Sequence, residues 1–311
     1  MSRDAFSYDP RDAREATPRR SRQQRAAPSS DTRESGERGP ETRGRSEAAE
    51  AREKHSGSGE RSDTSRAYYV RNRAYLLRNS EIHSLTEIGR FRVIAARDLA
   101  KHEYQGDNER MEKDIRHLRK HGLVTNRTVE ISRKKSLRVV TLTKTGHRLL
   151  KNANRVPNDQ VIYHGLRKPR EVEHDADLYR LYQKEASNIE RTGGRPLRVI
   201  LDYELKKNLN RDLAFLGQDR DNETLKRELA EKHGLQLVNS KIPVPDLRIE
   251  YETAELEIRH EDLELATREY RPRAVAEKAA AGFSLYSRPE DASRLRRILD
   301  DRELTAHILT L

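Results

Sequence analysis

A predicted helix near the middle of the chain constrains its fold more than any other feature. Met111, Ile115 and Leu118 recur at intervals of four and three residues, so they form one apolar stripe on a helix. Asp107 is a residue type that often caps the start of a helix, and Gly122 is one that often ends it. The sequence therefore predicts a helix between these two residues, with one buried face and one free face.

The elements predicted around this helix follow a definite order. Two helices precede it, one capped by Ser80 and a short one opening near Arg97. The apolar positions of the first of these helices are Leu85, Ile88, Phe91 and Ile94. Residues 123–131 and 138–142 alternate in polarity, which predicts two strands joined by a basic turn. A closing helix follows within residues 142–150, so the order is helix, short helix, helix, hairpin, helix.

Positive charge is concentrated in the same part of the chain. Residues 67–154 hold 20 Lys and Arg against nine Asp and Glu, whereas the segments on either side are close to neutral. On the central helix, the side chains that fall on a face nearly opposite the apolar stripe are those of Arg110, Lys113, His117 and Lys120. A basic field confined to one module is typical of proteins that bind the phosphate backbone of nucleic acids.

This order resembles the winged helix-turn-helix domain of bacterial regulators and replication initiators, and the motifs HLRKHGLV and LTKTGHRLL on either side of the hairpin carry the resemblance. In that family the third helix enters the major groove and the hairpin, or wing, touches the adjacent backbone. The resemblance implies double-stranded DNA as the partner. The implied DNA-binding residues are Asn108, Arg110, Lys113, His117, Lys120, Arg127, Arg133, Lys134, Lys135 and Arg138. A helical domain with a merely solvated charged face is the alternative.

The first 66 residues predict a disordered tail. Phe6 and Tyr8 are the only aromatic residues before Tyr68, and Arg, Glu, Ser, Gly and Pro dominate the rest. Such a segment cannot bury enough apolar surface to offset the entropy lost on ordering.

Composition also limits the compartment and the kinds of site. The chain has no cysteine, which excludes disulfides and thiolate metal sites. No apolar run approaches the roughly 18–20 residues needed to cross a membrane, and the N-terminus has no hydrophobic secretion signal. We therefore expect a cytoplasmic protein with no membrane partner, and a homodimer stays open.

Residues 155–311 predict a second domain in which helices alternate with strands. Strands are expected at residues 196–201, 246–251 and 256–265, with two more near the C-terminus. This alternation is typical of helices packed on a mixed sheet. The fold class expected for the whole chain is α+β, with a disordered tail (1–66), a winged helix-turn-helix domain (67–154) and a mixed α/β domain (155–311).

Three carboxylates in the second domain are candidates for chemistry. Asp246 follows Pro245 at the start of a predicted strand, and Asp262 and Glu264 project from one face of the next strand. Acids on a sheet face covered by helices are costly unless they are paired, hydrated or bound to a metal. Asp246 and Glu264 are the predicted metal ligands, and Mg²⁺ would suit them because it prefers oxygen ligands.

The element order of this domain and the residues Pro245-Asp246, DLELATREY, Lys278 and Tyr286 resemble the PD-(D/E)xK nuclease superfamily. Together with the winged helix they resemble the replication-relaxation proteins of plasmids and mobile elements, which often keep a histidine near His174. The sequence departs from an active nuclease, because Ala266 lies where a lysine should follow Glu264. Lys278 or Arg268 would have to substitute for it.

These observations lead to one hypothesis and one alternative. The hypothesis is a DNA-binding protein, without a cofactor, that controls replication, transfer or transcription of a plasmid or mobile element, with a degenerate nuclease-like domain. The alternative is a Mg²⁺-dependent nuclease whose catalytic residues would be Asp246, Asp262, Glu264 and Lys278. The DNA site recognised and the pathway stay open.

Overall fold

The computed structural model describes residues 7–8, 64–133, 135–166, 171–216, 222–267, 269–301 and 308–311. The disorder predicted for the tail lies outside these residues, except at Ser7–Tyr8, which form strand β1 and pair with residues 242–243. Lys134 and Arg268 also lie outside the described residues. Residues 63–311 belong to one compact unit, so the domain boundary near residue 155 stays a prediction.

The first half of the described chain has the winged helix-turn-helix arrangement. This half of the chain consists of β2 (Ser65–Val70), β3 (Arg73–Arg78), α1 (Asn79–Arg90), β4 (Ile94–Ala95), α2 (Ala96–Glu103), α3 (Asn108–Lys120), β5 (Val124–Ser132), β6 (Lys135–Leu142) and α4 (Lys144–Asn152). Strands β2 and β3 form a hairpin that precedes the winged helix and packs on α1. Strands β4, β6 and β5 form an antiparallel sheet in that order, and β5 and β6 are the wing.

Helix α3 begins and ends as its sequence predicts. The Asp107 side chain accepts a hydrogen bond from the Arg110 amide at 2.9 Å and so caps the helix. Met111, Ile115 and Leu118 are at most 2% exposed, which confirms the predicted apolar stripe.

Helix α1 differs from its prediction at both ends. Its cap is Arg78 rather than Ser80, because the Arg78 amide donates to the Glu81 carboxylate at 2.9 Å. The helix ends at Arg90, so Phe91 follows it and Ile94 belongs to β4. Both residues are nevertheless buried in the core. The apolar spacing therefore continued beyond the helix because the chain stays inside the core after the backbone changes direction.

The second half of the described chain is a mixed sheet covered by helices, which confirms the mixed α and β class. Its elements are α5 (Val172–Arg191), β7 (Arg195–Leu201), α6 (Asp202–Leu216), α7 (Asn222–Lys232), β8 (Ile242–Pro243), β9 (Leu247–Glu252), β10 (Ile258–Ala266), α8 (Pro272–Ala280), β11 (Ser284–Ser287), α9 (Pro289–Asp300) and β12 (Ile308–Thr310). The strand order is β7, β9, β10, β11, β12. The first two pairings are antiparallel and the last two are parallel.

Helix α5 connects the sheet with the winged helix. Leu178 and Leu181 of α5 share a buried cluster with sheet residues that include Ile249. On the same helix, the Tyr182 ring lies 5.3 Å from that of Phe91, and its hydroxyl accepts a hydrogen bond from the Arg90 guanidinium at 2.9 Å. The two halves of the described chain therefore share one apolar core. None of the described helices is long and apolar enough to cross a membrane.

Candidate functional site

The exposed face of α3 is rich in cations. Every Lys and Arg of this helix, which is described in full, is exposed, namely Arg110, Lys113, Arg116, Arg119 and Lys120. Among its acids, Asp114 is buried and Glu112 is bound by an arginine of the wing, which leaves Glu109 exposed. The surface of the helix is therefore strongly positive. The sequence interpretation left out Arg116 and Arg119.

The side chain of His117 turns away from this face. Its Nδ1 atom is 2.6 Å from Oε1 of Glu81, a fully buried residue of α1, so its ring turns toward α1. At 100° per residue, Lys113 and Lys120 lie most nearly opposite the buried stripe, and Arg116 and His117 lie about 50° to either side of that point. The contact with Glu81, rather than helical spacing, therefore sets His117 apart. Helical spacing alone could have placed Arg116 on the exposed face. The contact between His117 and Glu81 could not be predicted in this way, because Glu81 belongs to another helix.

A buried polar network holds α3 against α1. The Arg78 guanidinium contacts the carboxylates of Glu81 at 2.8 Å and Asp114 at 2.6 Å. The Ser80 hydroxyl donates to Asp114 at 2.7 Å, and the Tyr104 hydroxyl donates to it at 3.1 Å. Because these acids are fully buried, the interactions replace lost hydration and fix the orientation of the helix.

An ion pair connects the wing to α3. Arg138 of β6 donates to Glu112 of α3 at 2.7 Å and to Asn126 of β5 at 3.1 Å. The hydrogen bond from Arg138 lowers the pKa of Glu112. A groove of about 400 Å³ beside this pair is lined by Arg116 and Arg119 among others. Arg138 therefore positions the wing rather than pointing freely outward.

The remaining predicted wing residues differ in their surroundings. Arg127 and Arg133 are exposed. The Lys135 ammonium lies 2.5 Å from the Glu173 carboxylate of α5, so this lysine faces the second half of the chain. Lys134 is outside the described residues, and Asn108 is exposed at the start of α3.

The second candidate site lies where β9 begins. Leu247 pairs with Leu263 in the antiparallel sheet, so Asp246 comes beside Glu264. The Asp246 amide donates to Glu264 Oε2 at 3.2 Å, and the Leu265 amide donates to Asp246 Oδ2 at 3.0 Å. The register of two strands therefore brings two of the predicted acids together.

Two cations from different helices complete this cluster. Lys278 of α8 donates to Glu264 Oε2 at 2.9 Å and to the Val244 carbonyl at 2.6 Å. His174 Nε2 of α5 lies 3.2 Å from Asp246 Oδ2. Lys278 thus reaches the strand acid from the following helix, and His174 lies beside the acid of the Pro-Asp motif. We refer to Asp246, Glu264, Lys278 and His174 as the charged quartet.

The quartet shifts the protonation equilibria of its members. Burial disfavours the His174 imidazolium, but the carboxylates of Asp246 and Asp175 outweigh this effect and raise the pKa of His174 to about 10. Burial would likewise raise the pKa of Asp246, yet the charge of His174 holds that pKa at about 2. Burial and the nearby Asp246 raise the pKa of Glu264. At neutral pH His174 is therefore an imidazolium paired with a carboxylate.

Asp262 is not part of the quartet. Arg248 lies directly opposite it on β9, and its guanidinium donates hydrogen bonds to both oxygens of Asp262, at 2.6 and 2.7 Å. The Arg248 guanidinium also donates to the carbonyls of His233 and Gly234. Placing Asp262 in a three-acid site was therefore wrong, because its oxygens are held by a bidentate ion pair. A cross-strand register drawn from the sequence could have revealed this partner.

The quartet does not fit a Mg²⁺ ion in the geometry observed. The Tyr270 hydroxyl donates to Glu264 Oε1 at 2.7 Å, so both oxygens of that carboxylate already accept hydrogen bonds. The ammonium and imidazolium balance the two carboxylates when both are ionised, whereas Mg²⁺ needs open oxygens and keeps several waters. Within the described residues, no group of three or more His, Asp or Glu could hold a metal ion.

A cavity of about 520 Å³ opens beside the quartet. His174, Asp246 and Tyr270 line one part of it, and Tyr163 and Lys207 line another. A small molecule in this cavity could therefore reach His174 and Asp246, whereas Glu264 is fully buried.

Comparisons with known proteins do not identify a family. No protein-family profile matches the chain, and no curated protein matches it. A matching solved structure is that of Bacillus subtilis PadR in complex with operator DNA, with 13% sequence identity and a TM-score of 0.19 over 49% of this chain and 92% of that one. We draw nothing from a match at this TM-score, so the functional case rests on the geometry of the two sites.

Proposed function

We propose that this protein binds double-stranded DNA through α3 and the wing. The observation that carries the proposal is that all five lysines and arginines of α3 are exposed, on a helix whose opposite face is buried. In a winged helix-turn-helix arrangement this helix enters the major groove, and the wing lies on the neighbouring backbone. Arginine and lysine at these positions would neutralise phosphates and reach the edges of bases.

The structure refines which residues the proposal assigns to DNA. Arg110, Lys113 and Lys120 are exposed on α3, and the exposed Arg116 and Arg119 line the groove beside the wing. Arg127 and Arg133 extend the basic surface along the wing. His117, Lys135 and Arg138 already have partners within the protein, so we assign them to positioning rather than to contacts with DNA.

We expect the affinity for duplex DNA to depend steeply on salt. Replacing Lys113 and Arg116 together with glutamine should make the slope of log K against log salt shallower by about 1.8, since each lost phosphate contact removes about 0.9. Fluorescence anisotropy of the full chain with a labelled duplex, over a series of salt concentrations, measures this slope.

A matched double variant separates a local interface from general charge. Arg294 and Arg296 are exposed cations of α9, so Arg294→Gln with Arg296→Gln removes the same charge elsewhere. The slope for this variant should equal that of the unmodified chain. Equal slopes for both double variants would refute the assignment to α3.

The biological role and the second domain belong to the same proposal. The winged helix followed by a mixed sheet supports control of replication, transfer or transcription of a plasmid or mobile element, because this order underlies the resemblance to replication-relaxation proteins. The occupied oxygens of Glu264 support a nuclease-like domain that binds without cutting.

Metal-dependent cleavage is the second candidate function, and the convergence of Asp246, Glu264 and Lys278 is the observation that favours it. We expect no nicking of supercoiled plasmid by the full chain in Mg²⁺ or Mn²⁺ above the level of an Asp246→Ala variant. Agarose gel electrophoresis measures the nicked fraction. Metal-dependent nicking that disappears in Asp246→Ala, while binding of DNA persists, would make the protein a nuclease.

A further inference from the structure

We propose that His117 and His121, at the C-terminal end of α3, chelate a divalent transition-metal cation such as Zn²⁺ or Ni²⁺. The two residues are four apart, so their side chains share one face of the helix, as the paired histidines of helical zinc sites do. Their Nε2 atoms are 3.1 Å apart and share a hydrogen bond, so a cation bound to both nitrogens would displace the proton between them. Two nitrogens at this separation would meet at an angle of about 95° at a cation about 2.1 Å from each.

The Glu81 carboxylate prepares His117 for this role. Its Oε1 atom lies 2.6 Å from Nδ1 of His117, which leaves Nε2 to face His121. Histidines that bind metals commonly donate a hydrogen bond from the N–H of their other ring nitrogen to a carboxylate. This bond fixes the ring and makes it a stronger ligand. Glu81 is itself held by the Arg78 amide at 2.9 Å and the Arg78 guanidinium at 2.8 Å. The acceptor is therefore rigid.

The His121 ring is held in place by a neighbouring aromatic side chain and stays accessible. Its ring lies 6.0 Å from that of Tyr75 in an edge-on arrangement, which limits its rotation. Neither histidine is fully buried, and 36% of the His117 side chain is exposed, so a hydrated cation can approach the pair.

The ligand set selects the class of cation. Among the described residues, no carboxylate or further imidazole completes a set of three ligands here. The protein would therefore supply two nitrogens, and water would supply the remaining ligands. Imidazole suits Zn²⁺, Cu²⁺ and Ni²⁺, whereas Mg²⁺ and Ca²⁺ prefer oxygen. The proposed site is therefore distinct in chemistry from the charged quartet, and it does not depend on the proposed binding of DNA.

Isothermal titration calorimetry of the full chain with Zn²⁺ alone, at pH 7.5 and without DNA, tests the proposal. We expect one site that weakens by more than about tenfold in His121→Gln. The matched control is His260→Gln, which removes an exposed histidine of β10 and should leave the site unchanged. Glu81→Gln should weaken binding by about 10–100-fold, because it removes the carboxylate behind the ligand.

Two variants are used because a variant that fails to fold would also fail to bind Zn²⁺. Glu81 is buried and its replacement can destabilise α1, but His121 is the C-terminal cap of α3 and tolerates glutamine without burying a new group. Circular dichroism confirms that each variant is folded. Equal affinity of Zn²⁺ for the unmodified chain and His121→Gln, or no binding to either, would overturn the proposal.

Discussion

Replacing Lys278 with methionine is expected to lower the free energy of unfolding by about 3–5 kcal/mol at pH 7.5. The Lys278 side chain is 9% exposed, and its ammonium contacts Glu264, which is not exposed at all. Methionine keeps most of the apolar volume but removes the charge and the donor to the Val244 carbonyl. Glu264 would then be a buried carboxylate beside Asp246 without its cation. Urea-induced unfolding measures the loss.

Removing both partners should cost less than removing one. The double variant Lys278→Met with Glu264→Gln is expected to recover more than half of the lost stability, because no uncompensated charge remains in the core. Lys207→Met, at an exposed position of α6, should change stability by less than about 0.5 kcal/mol. If the double variant is less stable than Lys278→Met, the ion pair is not the source of the effect.

The pH dependence of Lys278→Met follows from the same charges. Burial already raises the pKa of Glu264, and loss of the ammonium should raise it further. A carboxylate with a raised pKa in the folded state favours folding only when it is protonated. The destabilisation should therefore be smaller at pH 5 than at pH 8.

Local signals in the sequence were sufficient to predict the helices and the wing. The Asp107 cap, the apolar stripe of α3 and the glycine after it are all features of a few consecutive residues, and the structure confirms them. The stretches predicted as strands likewise matched β5, β6, β9 and β10. By contrast, α1 was extended too far, since burial continues past its last turn at Arg90.

The candidate sites depended on contacts that a single sequence does not display. Asp262 was assigned to the acidic site on the basis of its strand face, but the antiparallel register places Arg248 opposite it. His117 was assigned to the DNA face by helical spacing alone, whereas Glu81 on another helix turns it away. Lys278 was predicted as a substitute lysine, and only the packing of α8 on the sheet brings it to Glu264. Tertiary neighbours therefore decide the role of a charged residue more than its position in a motif.

The His174→Gln variant should lose a pH-dependent part of the stability of the fold. The pKa of His174 is about 10 in the folded protein and about 6.5 in an unfolded chain. Its contribution is therefore fully present below about pH 6.5 and disappears as the pH rises through 10. The Asp246 pKa of about 2 gives the opposite sign, with a contribution that is present above about pH 4 and lost as the pH falls through 2.

Between pH 6.5 and 10 the unmodified chain should therefore lose stability, on the order of a few kcal/mol, that His174→Gln does not lose. Urea-induced unfolding at several pH values measures the difference between the two proteins, in which the titration of other groups cancels. Asp246→Asn should make the same slope much shallower, because it removes the larger of the two carboxylate charges that raise the pKa of His174, while Asp175 remains. His260→Gln, at an exposed position, should keep the slope. A difference between the unmodified chain and His174→Gln that stays constant with pH would show that His174 is neutral and that the two residues share only a hydrogen bond.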